Sequence, residues 1–376
     1  MGARTERVVI VGGGPAGAAA AVALARGGVG PLVLESSASA GFKVGECLPP
    51  AAGPALERLG VAGLMRRDGH LPSYGNRSVW GGPEPVEHDF IFGTQGHGWQ
   101  LDRTRFEATL AARCVEEGAR WRYGSRLTEC SRRDGVWSLR VRTPSGSETV
   151  EAEFVLDATG RAARVARRAG ARRVRHDRLI GAALLFESGE GGGIKEGVTL
   201  VEAAAAGWWY SARLPGGRLM AAYMTDADLA GREVREREGW LGLLGRTEHT
   251  LRRVRAGAYS PLSGPHVLRA ESSRLDAVAG EGWLALGDAA AAFDPLSSYG
   301  ISSALGGGLY AAAAVLDLFA GKAHALAPYE KLVGDAYARY LLSHHHAYSL
   351  ERRWAGEPFW RRRHERRTPP GGAAGR

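Results

Sequence analysis

The apolar positions open the chain in a sharply local pattern. Residues 8–11 read VVIV, a β-branched run; GGGPAG (12–17) follows, then AAAAVALARGG (18–28) and PLVLE (31–35). Short continuous apolar runs bounded by glycine suit buried parallel strands, and an alanine-rich segment closing on glycine suits a helix. The pattern predicts a βαβ unit. PPAAGPALERLG (49–60) predicts a proline-started short helix, and 103–117 an amphipathic helix with Phe106, Leu110 and Cys114 on one face. Residues 119–150 alternate between polar and apolar, with turns at Arg133-Asp-Gly and Pro144-Ser-Gly, which predicts an antiparallel meander. AEFVLDATG (152–160) is again an apolar strand, closing on Asp157.

From 179 to 270 the texture changes. LIGAALLFES, VTLVEAA, GWWYSARL and RLMAAYMTDAD read as strands of an antiparallel sheet, interrupted by a charged helix near 232–245. WLALGDAA (283–290) returns as a buried strand running into a turn; 296–320 is mainly helical, and a last helix covers 326–346 before an Arg-rich tail, with disorder expected over 369–376. The predicted class is α/β, a Rossmann-like dinucleotide-binding domain with an antiparallel meander and an inserted antiparallel-sheet substrate domain. The expected boundaries are 1–75, 101–178 and 271–325 for the first, 76–100 and 179–270 for the second, and 326–376 for the C-terminal helix and tail.

Composition narrows the function classes. A hydrophobic fraction of 44% over 376 residues argues for a folded chain of about two domains. The net charge of +9 comes almost wholly from arginine, with clusters at Arg164–Arg175 and Arg361–Arg367. No zinc-finger spacing, RNP-like motif or basic heptad accompanies them, so nucleic acid is not an expected partner, whereas attraction of an acidic substrate or carrier stays open. Cys47, Cys114 and Cys130 lack any CxxC pair, which fits reduced thiols in a cytoplasm and no metal site. The run His344–His346 reads as helix surface or helix end. Residues 8–25 mimic a signal peptide, but Gly12, Gly13, Gly14 and Gly17 suit a strand–turn–helix better, and no other uncharged apolar run approaches roughly 20 residues, so no membrane span is expected.

The spacing Gly12-x-Gly14-x-x-Gly17 after a strand and before a helix is a dinucleotide fingerprint. Gly12 permits the tight turn, Gly14 lets backbone approach a pyrophosphate beside Ala16, Gly17 permits close packing, and the helix N-terminus faces the anion. Glu35 ends the second strand, where an acid bonds a ribose hydroxyl. Three distant features favour FAD over NAD: Asp102-Arg103 opening a helix, Asp157-Ala-Thr-Gly160 at a strand end, and Gly287-Asp288 at another. Strand ends from across the chain then converge on one long cofactor.

These motifs together resemble FAD-dependent monooxygenases of the hydroxylase fold, a family that includes the flavin-dependent halogenases. GFKVGECLPP (41–50) is similar to the halogenase loop that covers the flavin. DPLSSYGI (294–301), WWYSARLP (208–215) and ERRWAGEPFW (351–360) look closest to a branch that oxidises peptidyl tryptophan during quinone-cofactor maturation. The resemblance implies that Gly287 and Asp288 meet the ribityl and pyrophosphate, with an N-cap as the alternative role for Asp288. It implies that Asp294, Pro295 and 297–301 run beside the flavin ring, with Gly300 and Ile301 presenting helix N–H groups to it. Lys43 and Arg103 are expected as cationic partners of the cofactor, against the alternative of surface salt bridges.

Both activities of the resembling family start from reduced flavin and oxygen, through a C4a-hydroperoxide. A halogenase adds a lysine downstream of its Gly-Glu pair, but the window His70–Trp80 contains none and Tyr299 stands before Gly300. The expected function is therefore an FAD-dependent monooxygenase hydroxylating an electron-rich aromatic such as an indole in a peptide or on a carrier. A halogenase and a non-catalytic flavin-binding protein are the alternatives. Glu46, His70 and Tyr299 are the candidates for proton handling, Glu46 first; its alternative role is to fix the loop through backbone N–H bonds. Trp208 and Trp209 either line an aromatic pocket or pack the sheet. With no second GxGxxG, electrons are expected from NAD(P)H directly or from a partner flavin reductase.

Overall fold

The structure is a computed structural model and describes residues 5–39 and 43–365. The head of the 41–50 loop and the expected disorder over 369–376 lie outside the described residues.

The β-branched run forms the strand Glu6–Val11, paired in parallel with Leu32–Leu34 on one side and with Gly146–Asp157 on the other. Arg120–Arg122 and Trp283–Ala285 extend this parallel set at its two ends. Val9 and Ile10 are wholly buried because helices cover the sheet, which is why the strand has no polar face. Gly146–Asp157 serves two pairings. Its first half closes the antiparallel meander with Val136–Thr143 and Arg126–Arg133; its second half enters the parallel sheet.

Helix Pro15–Arg26 packs on helix Gly300–Phe319 at a backbone approach that only glycine allows. A Cβ at Gly308 would lie 2.3 Å from the carbonyl oxygen of Ala16. The expectation that no run beyond 8–25 approaches the length of a membrane span is corrected here. Gly300–Phe319 is long and apolar enough to cross one, and half of that stretch is buried inside the protein. Its apolarity serves the interhelical core.

The second sheet runs Tyr259–Pro261, Leu179–Ser188, Arg218–Asp226, Gly207–Leu214, Val198–Ala204, Gly75–Val79 and Val86–Asp89, with His266–Arg269 also on Leu179–Ser188. One pairing departs from the antiparallel expectation: Val198–Ala204 and Gly75–Val79 are parallel, because the latter enters from a distant part of the chain. Where one helix was expected there are two, Arg237–Leu244 and His249–Ala256. The Glu202 carboxylate caps the second by accepting the N–H groups of Glu248, His249 and Thr250, a long-range cap that local sequence does not show.

The Arg-rich tail is structured as far as Glu365, the last described residue. Helix Ala327–Ser349 is followed by helix Pro358–His364, whose Phe359 and Trp360 are fully buried. Arg363 donates to Asp226 at 2.8 Å, and Trp80 Nε1 donates to the Ala347 carbonyl at 2.8 Å, so these helices clamp the second sheet.

Candidate active site

The glycine turn stands at the carboxyl end of Glu6–Val11. Gly12 adopts φ 109°, and a Cβ there would lie 2.2 Å from the Ala158 oxygen; a Cβ at Gly17 would lie 2.0 Å from the Gly12 oxygen. Gly14 differs, since a Cβ there would meet nothing within 4 Å. Gly12 and Gly17 are therefore glycine for the fold, and Gly14 fronts open space. Glu35 accepts the Gly13 N–H at 2.7 Å and the Ser37 N–H at 2.8 Å, and with Trp121 and Tyr123 it lines a small recess beside the turn.

That open space is a cavity of about 860 Å³. Gly14, Pro15 and Ala16 form one wall, Lys43–Cys47 and Arg103 a second, Asp288 and Pro295 with Ser298, Gly300 and Ile301 a third, and the second sheet the fourth. Arg103 donates to the carbonyls of Val44 at 2.9 Å and Gly45 at 2.8 Å, and pairs with Glu107, so it latches the Gly-Glu loop. Lys43 also pairs with Glu107. Asp288 faces the cavity with 36% of its side chain exposed, and Arg161 Nε lies 3.5 Å from its carboxylate. It lies inside the short turn Gly287–Ala289, whose N-cap position is Leu286, so Asp288 is not the capping residue of that turn.

The third wall is set from outside. Buried Asp294 accepts the Leu296 N–H at 2.8 Å and the Tyr348 hydroxyl at 2.8 Å, and lies 3.1 Å from His344 Nε2. Burial alone would raise its carboxyl, but the His344 contact and these hydrogen bonds outweigh it and hold the group below its ordinary value. Ser298 then takes a left-handed conformation, φ 55°, before helix Gly300–Phe319 begins.

The cavity floor is polar and unsatisfied. Both carboxyl oxygens of Glu46, the Tyr210 hydroxyl and the Gln100 oxygen are buried without a hydrogen-bond partner, and Glu46 and Tyr210 line the cavity. Burial pushes Glu46 up to about 7, against the pull of Arg103 and of the nearby main-chain N–H groups of Gly45 and Glu46. Burial also raises the Tyr210 hydroxyl, helped by the charges of Cys47 and Glu46. Buried polar atoms without a partner beside a cavity are candidates for ligand binding or proton transfer.

Several expected positions lie elsewhere. His70 stands apart from the cavity lining: its Nδ1 accepts the Asp102 N–H at 3.1 Å and its ring packs on Phe106. Tyr299 is 46% exposed and meets Phe293 edge-on, outside the cavity lining. Asp157 accepts from Thr159 and the Ala166 N–H, fixing the turn from beneath. Trp208 and Trp209 pack the sheet, Trp208 donating to the Tyr348 hydroxyl and Trp209 stacking on Tyr223. It is the next residue, Tyr210, that reaches the cavity.

Residues 7–178 match the family model of FAD dependent oxidoreductases. The chain is 29% identical over 361 residues to LodB of Marinomonas mediterranea, named as an FAD-dependent oxidoreductase, covering 95% of this chain and 96% of that one. It superposes on the myxobacterial chondrochloren halogenase CndH with TM-score 0.87 at 22% identity, over 96% of this chain and 86% of that one. This is the fold of the FAD-dependent oxidoreductases and halogenases. Peptidyl tryptophan dihydroxylase QhpG also shares it, with TM-score 0.72 and 24% identity over 96% of this chain and 79% of that one.

The residues fit FAD. The bare backbone at Gly14 heads helix Pro15–Arg26, the cavity continues from it past Asp288 to the N-terminus of helix Gly300–Phe319, and Arg103 and Arg161 supply positive charge along its length. Asp288→Ala is expected to weaken FAD roughly tenfold or more, the scale of one charged hydrogen bond. Flavin fluorescence titration checks this, and unchanged affinity would remove Asp288 from the cofactor site.

Proposed function

We propose that this chain is an FAD-dependent monooxygenase that hydroxylates an electron-rich aromatic ring, an indole borne on a peptide or carrier protein. The observation that carries the reading is the cavity floor. Of the four lysines in the chain only Lys43 reaches the cavity, and its ammonium is held by Glu107. In the window where a halogenase carries its lysine, Ser73 is buried and accepts from Gln100 at 3.2 Å.

Bound FAD, once reduced, supplies the activation of molecular oxygen. Gly14–Ala16, Glu35, Arg103 and Asp288 would hold it, and the N-terminal N–H groups of helix Gly300–Phe319 would face the electron-rich edge of its ring. The chain's own contribution is a pocket with a largely apolar lining and a proton. Burial pushes the Glu46 carboxyl up to about 7, so it can hold a proton near neutral pH, give it to a departing oxygen and regain it. Ala183, Ala222 and Met224 of the second sheet supply an apolar wall for a flat ring, and Tyr210 a hydroxyl to orient it. Electrons come from NAD(P)H, directly or through a flavin reductase.

Halogenation is the second reading, and overall likeness favours it, since CndH superposes better than QhpG. Product mass decides between the two. The FAD-loaded enzyme, a reducing system and a tryptophan peptide are incubated under heavy-isotope oxygen with bromide, chloride or neither. Oxygen incorporation independent of halide is the expected result; halogen in the product would overturn the proposal.

A further inference from the structure

A second cavity, about 790 Å³ in volume, opens beside the first and shares Arg161 and Arg269 with it. Eight arginines line it, six of them between Arg164 and Arg175. Acidic charge does not balance them. Glu271 is divided among Arg161, Arg175 and Arg269, and the lining residue Glu129 sits 3.6 Å from Arg140 instead. Among the described residues, Arg164, Arg167, Arg168 and Arg172 have no acidic partner. Arg173 is spent inside, on the carbonyls of Asp288 and Ala289.

Unpaired guanidinium groups along a groove form planar forks suited to carboxylates or phosphates. Among the described residues the walls carry no aromatic ring, so a nicotinamide or adenine would find nothing to stack on. An extended chain of carboxylates needs no such surface. We infer that this groove docks an acidic peptide segment of the protein that bears the aromatic substrate. The shared Arg161 and Arg269 place the docked segment next to the reaction cavity, so a neighbouring residue of the same partner can enter it. This inference rests on the proposed reading of the first cavity as the place where a partner-borne ring reacts.

The test uses the FAD-loaded protein and fluorescein-labelled decaglutamate, followed by anisotropy, which needs no turnover. Wild-type protein is expected to bind the peptide, more weakly as salt rises. The variant R164E/R167E/R168E, and separately R172E/R175E, are expected to bind it roughly tenfold or more weakly, since each reversal removes one pair and adds repulsion. Flavin occupancy is expected to stay unchanged in both, so a failure here is distinct from a failure of the flavin reading. Equal binding by R172E/R175E and wild type would overturn the inference. So would displacement of the peptide by NADPH at lower concentration than by unlabelled decaglutamate, or tighter binding of a single-stranded oligonucleotide than of the peptide.

Discussion

Gly17→Ala is expected to leave the protein without FAD. The added carbon would lie 2.0 Å from the Gly12 oxygen and 3.2 Å from the Ala158 side chain. Neither neighbour can yield cheaply, because Gly12 is itself wedged against the Ala158 carbonyl and helix Pro15–Arg26 is buried along most of its length. The helix must move away from the strand, and its N-terminus moves with it. Overpacking of this kind costs about 1–3 kcal/mol or more in the fold, and the displaced turn loses its anion geometry. The displaced turn is expected to lower FAD affinity roughly a hundredfold or more, and the overpacking to lower the unfolding temperature. Flavin titration with thermal unfolding measures both. Gly14→Ala is the control, since its carbon meets no protein atom and only a ligand would feel it. Wild-type flavin occupancy in Gly17→Ala would refute the placement of the turn.

Glu46→Gln is expected to stabilise the flavin-free protein above neutral pH while lowering its turnover. Burial raises the folded-state carboxyl from 4.5 to about 7. A group raised on folding contributes stability that is complete below its unfolded value and is lost as pH climbs through the folded one. The loss therefore falls between about pH 4.5 and 7 and amounts to roughly 3 kcal/mol. Glutamine does not titrate, so its unfolding temperature relative to wild type should rise across that window. Removing the proton donor should cost turnover about a hundredfold or more. A stability difference that ignores pH would show that Glu46 does not titrate there, and undiminished turnover would end its catalytic role.

The sequence discloses what is local. The strand–turn–helix at 6–26 is written in adjacent residues, and so is the meander, whose turns at Asp134 and Gly146 take positive φ. Positions governed by register or by distant partners are harder to see. Trp208 and Trp209 draw the eye by size, but side chains alternate along a strand. Trp208 shares one packing cluster with Tyr210, Trp209 lies in the other, and it is the tyrosine that reaches the cavity. Tyr299 sits in the expected loop, yet the left-handed Ser298 before it turns the backbone and leaves its ring outside. His70 is polar and close in sequence to the site loop, but its Nδ1 is taken by the Asp102 amide and the residue is not part of the cavity lining. The open valences of Glu46 are a property of the assembled cavity, and burial is not a quantity that a motif carries. The arginine run was visible; its lack of acidic partners was not.

The bracing of the Asp294 loop by Tyr348, itself bonded to Trp208, has a consequence for biosynthesis. A ribosome releases the glycine turn early and the bracing helices last. Gly81 receives its acceptor, Glu351, only after 270 further residues have been joined. The glycine turn itself is complete once Gly146–Asp157 has joined its strand, whereas the Asp294 loop waits for Tyr348. A stalled or prematurely terminated product would lack the bracing that shapes the Asp294 wall of the cavity.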